Sequence, residues 1–111
     1  MLLTIDVPIA DKVFLLAMHF SGLENGEHSD ELWKIIDALS DDIRTLYTTP
    51  VQARELLKPA RQLYRRLGMD PTHTRPSSEA LIRRVIHKKE LYRVNTIVDI
   101  GNMVSLAIQL P

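Results

Sequence analysis

Residues 61–105 read RQLYRRLGMDPTHTRPSSEALIRRVIHKKELYRVNTIVDIGNMVS, and this stretch predicts helices separated by stiff connections. Gly68 is typical of the residue that ends a helix, because glycine adopts a left-handed backbone conformation at little cost. Pro71 and Pro76 then restrict the backbone of the connection. Ser77 is predicted to cap the next helix with its hydroxyl oxygen.

The last part of this stretch predicts an apolar, mostly buried helix, starting at about Thr96, that carries a row of polar side chains. Asn95, Asp99 and Asn102 are spaced i, i+4 and i+7, which places them on one face. Burying such groups without partners costs roughly 1–3 kcal/mol each, so they either form a structural network or line a site. Networks are the more common outcome, whereas Gly101 within the helix favours the close approach of a ligand or of another backbone.

Two motifs in this region resemble the B3/B4 domain, which occurs in the β subunit of bacterial phenylalanyl-tRNA synthetase and as small free-standing proteins. The first motif is RPSSEAL at residues 75–81, and the second is VDIGNMVSL at residues 98–106. The similarity extends over residues 61–111, and the first sixty residues fit the family more loosely. Further matching positions are Tyr64, Gly68, Asp70, Pro71, Arg84 and Asn95.

The resemblance implies a function connected with tRNA. In the synthetase, this domain hydrolyses tyrosine that has been mistakenly esterified to the phenylalanine tRNA, and free-standing relatives are candidate trans-editing or RNA-binding proteins. The family domain is longer than this chain and continues through further strands. The resemblance therefore implies an amino-terminal half, a truncated or cleaved product, whose sheet a second chain, a second fragment or a homodimer would complete. A chain of 111 residues has no room for an aminoacylation core, so any activity would be hydrolysis rather than ligation.

The resemblance also implies a pocket, although the sequence identifies no catalytic residue. Glu79 and Asp99 would orient a water molecule or bind an α-ammonium group, and the amides would recognise a hydroxyl group. The four histidines have no spacing that gathers them on one metal ion, and no HExxH motif is present, so neither a metal nor another cofactor is expected. The candidate pocket residues are Arg75, Glu79, Asn95, Asp99 and Asn102.

The formal net charge is zero, but the charges are distributed unevenly along the chain. Residues 1–49 contain three basic and nine acidic side chains, whereas residues 50–93 contain eleven basic and four acidic ones. The basic segment is a candidate tRNA-binding surface, for which a solvated outer face is the common alternative. The candidate RNA-binding residues are Arg54, Lys58, Arg61, Arg65, Arg83, Arg84, Lys88 and Lys89.

Other classes of protein fit the sequence poorly. The chain has no cysteine, which excludes disulfides and thiolate metal sites. The longest apolar run, residues 13–18, is too short to span a bilayer, and the first residues lack the basic start of a secretory signal. A cytoplasmic protein with no membrane or DNA partner is therefore expected. A non-catalytic domain that binds an amino acid or another small molecule, or that serves in protein interactions, is the alternative function.

Taken together, the patterns predict an α+β fold in which two amino-terminal strands precede four helices. Leu3, Ile5 and Val7 alternate with polar residues, and residues 13–20 form a second apolar run. Helices are predicted to begin at Ser29 and Thr49, the latter with a capping box and with a kink or a break at Pro59. The whole chain, residues 1–111, is predicted to be one partial B3/B4-like domain that is strand-rich over 1–23 and helical over 29–110.

Overall fold

The computed structural model describes residues 4–110, and this part of the chain folds into four α-helices. A short 3-10 helix, Val7–Ile9, precedes them. The helices are α1, Asp30–Leu46; α2, Pro50–Arg66; α3, Ser77–Ile86; and α4, Thr96–Ile108. No helix within residues 4–110 is both long enough and apolar enough to cross a membrane.

The predicted α+β class and its two amino-terminal strands are wrong, because residues 4–110 contain helices and no strand. Leu3 lies outside the described residues, and Val7 belongs to the 3-10 helix. Residues 13–20 have no regular structure, and Phe14 is 94% exposed. An apolar run becomes a strand only where another strand pairs with its backbone, and this part of the chain offers no such partner. For the same reason, residues 4–110 contain no sheet for a second chain to complete, and the predicted partner chain stays a prediction.

Local capping explains where α1 and α2 begin. The Ser29 hydroxyl accepts a hydrogen bond from the Leu32 N–H at 3.2 Å. At the start of α2, Thr49 and Gln52 form the predicted capping box: the Gln52 N–H donates to Thr49 Oγ1 at 3.3 Å and the Thr49 N–H to Gln52 Oε1 at 3.1 Å. The helix then continues through Pro59 to Arg66, so the alternative of two short helices is wrong.

The connection between α2 and α3 shows one confirmed prediction and one error. Gly68 has φ +77°, a left-handed conformation that glycine adopts without strain, and it ends α2 as predicted. Ser77, in contrast, does not cap α3. The cap position is Pro76, whose carbonyl accepts the Ala80 N–H at 3.1 Å, so Ser77 is already the first helical residue.

The hydrophobic core joins all four helices around α3. Its fully packed members are Ile43, Leu57, Ile82, Val85 and Leu106. Helix α4 contributes only Leu106 to this cluster, and the expectation of a mostly buried α4 is wrong. Its other large aliphatic side chains are 40–57% exposed, namely Ile97, Val98, Ile100, Val104 and Ile108. Helix α3 is thus the shared neighbour of the other three helices.

Candidate functional site

A completely buried carboxylate, that of Glu79 on α3, organises a cluster of arginines. Arg61 of α2 donates from Nε to Oε2 at 2.8 Å and from Nη2 to Oε1 at 3.2 Å. Arg83, one turn along α3, donates from Nε to Oε1 at 2.8 Å, and Arg75 places its Nε 3.8 Å from the same oxygen. We call Glu79 with these three residues the arginine cluster. One negative charge is thus shared by three positive ones, which leaves the cluster cationic.

The electrostatics of the cluster favour the ionised form of Glu79. Burial by itself raises the pKa of this carboxyl, but the hydrogen bonds and positive charges of Arg61 and Arg83 outweigh burial, so the pKa lies below its ordinary value. The hydrogen bond to Glu79 in turn raises the pKa of Arg61. The carboxylate therefore stays charged at neutral pH, and it holds Arg61 and Arg83 in fixed orientations.

A second arrangement lies in the loop that follows α3. The Arg84 guanidinium carbon sits 4.1 Å from the centroid of the Tyr92 ring, which is a cation–π contact. Arg84 also donates from Nε to the Glu90 carbonyl at 2.8 Å and from Nη1 to the Tyr92 hydroxyl at 3.0 Å. These contacts close the loop against α3 while leaving Tyr92 65% exposed. The loop therefore presents an aromatic side chain beside several cations.

The arginine cluster and this loop border one concavity of about 410 Å³, which we call the basic hollow. Its walls contain three arginines, one lysine, a histidine and a tyrosine, and none of these described residues is acidic. Arg75 lines the basic hollow, although the sequence analysis named it as a pocket residue and not as an RNA-binding residue. His87 was not among the predicted site residues, because a single histidine carries no distinctive spacing. The residues that line the basic hollow are Arg75, Ala80, Arg83, Arg84, His87, Lys89 and Tyr92.

The other predicted RNA-binding cations have varied surroundings. Lys88 lies beside the basic hollow and lines a neighbouring groove. Arg54 donates from Nε to the Pro50 carbonyl at 3.3 Å, and Lys58 pairs with Glu55 of its own helix at 3.5 Å. Arg65 lines a separate depression with other residues of α2. Of the cations after the RPSSEAL motif, Arg83, Arg84 and Lys89 therefore converge on the basic hollow, whereas those of α2 are dispersed.

The polar row on α4 forms a cap and a buried network. Asn95 caps the helix by accepting the Val98 N–H at 2.9 Å. Asp99 is 1% exposed and accepts two hydrogen bonds, from Trp33 Nε1 at 2.9 Å and from the Val94 N–H at 3.0 Å. Asn102 is half-buried and, with Asp99, borders a space of only about 10 Å³. Such a space holds no ligand larger than water.

The five predicted pocket residues therefore separate into two groups. Arg75 and Glu79 belong to the arginine cluster. In the second group, Asp99 and Asn102 border the small space beside Trp33, and Asn95 caps α4. Within residues 4–110, no hydrogen bond or shared cavity connects the two groups. Gly101 also lacks the expected close neighbour, since a Cβ atom built there would meet nothing within 4 Å. The described residues contain no group of three side chains suited to a metal ion.

Comparison with known proteins adds no further identification. No family model, curated protein or solved structure matches the chain. The resemblance to the B3/B4 domain stays a prediction from the two sequence motifs. The basic hollow is the feature of the structure with the clearest binding chemistry.

Proposed function

We propose that this protein binds RNA through the basic hollow and the cations around it. The observation that supports this function best is the convergence of four arginine and lysine side chains on one concavity beside an exposed tyrosine. Arginine forms planar, paired hydrogen bonds with phosphate oxygens. Because Glu79 already orients Arg83, less side-chain entropy is lost when that guanidinium binds a phosphate.

The aromatic side chain favours RNA over a simple inorganic anion. Proteins that bind single-stranded nucleic acids combine cationic grooves with aromatic rings on which bases stack. Tyr92 has an exposed ring next to Arg84 and Lys89, which is this combination. Since the net charge of the chain is zero, attraction to a polyanion must come from such a local surface.

The B3/B4 resemblance makes tRNA the first RNA to test and the cytoplasm the expected compartment. Hydrolytic editing of mischarged aminoacyl-tRNA stays a prediction of that resemblance. The two carboxylates proposed to orient a water molecule, Glu79 and Asp99, are buried and engaged in hydrogen bonds. RNA binding requires neither carboxylate to act on a substrate, so it is the function that we propose.

We expect the double substitution Lys88→Glu and Lys89→Glu to weaken tRNA binding about tenfold or more at moderate salt. Both side chains are exposed at the basic hollow or beside it. Each lost phosphate contact should bring the negative slope of log K against log salt closer to zero by about 0.7–0.9. Fluorescence anisotropy with labelled tRNA, repeated over a salt series, measures both quantities.

The matched control is Lys12→Glu with Lys34→Glu, which makes the same change in net charge at exposed positions that do not line the basic hollow. This control should retain most of the affinity. Equal losses in the two double variants would show attraction by overall charge and contradict a localised surface. If the unaltered protein has no measurable affinity for tRNA, the proposal is wrong and a small-molecule or interaction domain becomes the better interpretation.

A further inference from the structure

A second concavity, of about 470 Å³, lies where the start of α2 faces the end of α3, and we call it the apolar cleft. Its volume falls within the range of about 300–1,000 Å³ that is usual for small-ligand pockets. The apolar lining residues are Tyr47, Pro50, Ala53, Leu57 and Ile86. Three cationic or titratable side chains, those of Arg54, Arg83 and His87, also line it.

The polar groups at one end of the apolar cleft are already satisfied within the chain. The N–H groups of Thr48 and Thr49 both donate to Gln52 Oε1 at 3.1 Å, and both hydroxyls contact the same oxygen. Arg54 is held at the cleft by its hydrogen bond to the Pro50 carbonyl. What the cleft offers to a ligand is therefore an apolar and aromatic surface with cations at its edge.

Arg83 connects this cleft to the basic hollow, because it lines both concavities together with His87. Its Nε is bound to Glu79, and this contact fixes where the rest of the guanidinium can reach. A phosphate bound at Arg83 would thus lie at the junction between a cationic surface and an apolar cleft. A nucleotide has the complementary pair of features, a charged phosphate and a flat base.

We propose that the apolar cleft accepts one unpaired nucleobase of the bound RNA while the adjacent phosphate lies at Arg83. This inference rests on the proposed RNA binding and names the class of RNA: a single strand rather than a duplex. In a duplex the bases are stacked and paired inside the helix, so none can enter a cleft beside the backbone. A single strand can turn one base outward at a much smaller cost.

The test uses a short single-stranded RNA and a duplex of the same sequence, with affinities measured by fluorescence anisotropy. We expect the protein to bind the single strand about tenfold more tightly. Ala53→Phe places a large side chain in the cleft, where it obstructs a base. It should remove this preference and lower single-strand affinity about tenfold, which is the size typical of a lost base contact. Affinity for the duplex and its salt dependence should not change, because the cations remain in place.

The matched control is Ala107→Phe, the same substitution at an exposed position of α4 that lies outside the apolar cleft. It should keep the single-strand preference. An independent readout needs no variant: a nucleoside monophosphate should displace the single strand at concentrations at which inorganic phosphate does not. This readout decides the matter if Ala53→Phe does not fold.

Two results would overturn the inference while leaving the proposed function intact. One is equal affinity of the unaltered protein for single-stranded and duplex RNA, with binding still weakened by the Lys88→Glu and Lys89→Glu substitutions. The other is equal competition by the nucleotide and by inorganic phosphate. A protein that binds neither form of RNA would contradict the proposed function itself, and the inference with it.

Discussion

Replacing both Arg61 and Arg83 by glutamine is expected to lower the free energy of unfolding at pH 7 by about 3–5 kcal/mol. The Glu79 carboxylate is completely buried and receives its hydrogen bonds from these two arginines. Without them, a buried charge would have only Arg75, which is half exposed and lies 3.8 Å away. Urea denaturation followed by circular dichroism measures the loss.

The pH dependence distinguishes a charge effect from a packing effect. In the unaltered protein the pKa of Glu79 lies below its ordinary value of 4.5. The arginine cluster therefore stabilises the fold fully above that value, and its contribution is lost as the pH falls further, through the lower pKa of the folded state. In the double variant only the half-exposed Arg75 still opposes burial, so the pKa of Glu79 should rise above the ordinary value. The difference in stability between the two proteins should then narrow between neutral pH and about pH 4.

Two further variants complete this test. Arg65→Gln with Arg66→Gln makes the same change in net charge at the end of α2, outside the arginine cluster, and should cost less than about 1 kcal/mol. Adding Glu79→Gln to the Arg61 and Arg83 double variant should recover part of the loss, because it removes the unpaired charge. No recovery in the triple variant would mean that packing, not charge, explains the instability.

Asp99→Ala is expected to cost about 2–4 kcal/mol of the free energy of unfolding. Its carboxylate accepts hydrogen bonds from Trp33 Nε1 and from the Val94 N–H, and it is almost fully buried. Removing it leaves a buried indole N–H and a partly buried backbone N–H without acceptors, and each such loss costs about 1–3 kcal/mol. Trp33 is the single tryptophan of the chain, so its fluorescence reports on this contact directly during denaturation.

The control for Asp99 is Asn102→Ala, at a half-buried position of the same helix whose side chain makes no hydrogen bond to the described residues. We expect a loss of less than about 1 kcal/mol. Equal losses at the two positions would contradict the structural role of Asp99. A second readout separates this role from chemistry: Asp99 does not line the basic hollow, so the folded Asp99→Asn protein should bind tRNA with unchanged affinity.

The sequence predicted only some of the residues that line the basic hollow. Arg83, Arg84 and Lys89 were predicted as RNA-binding residues from the excess of basic side chains in residues 50–93, and all three line the basic hollow. The four predicted cations of α2, in contrast, do not line the basic hollow. Arg61 turns towards Glu79, and Lys58 pairs with Glu55, because each long side chain takes the nearest opposite charge that the fold presents. Helical spacing specifies the direction of a side chain but not what lies there.

The sequence by itself determined where α1 and α2 begin and where α2 ends. Ser29, Thr49 and Gly68 act through hydrogen bonds and backbone conformations within a few residues, so no distant contact is needed. The apolar alternation near the amino terminus failed as a strand signal, because strand pairing needs a second segment. A sequence pattern therefore predicts an element reliably when residues close in sequence make all the contacts that the element needs.

Only the tertiary structure decided which partners the carboxylates of Glu79 and Asp99, one in each sequence motif, bind. Glu79 finds Arg61 18 residues away, and Asp99 finds Trp33 66 residues away. Both carboxylates looked like pocket residues, and both are hydrogen-bonded within the fold. The physical reason is the cost of burying a charge: once the helices pack, each carboxylate requires donors, and only the packed neighbours determine which donors those are.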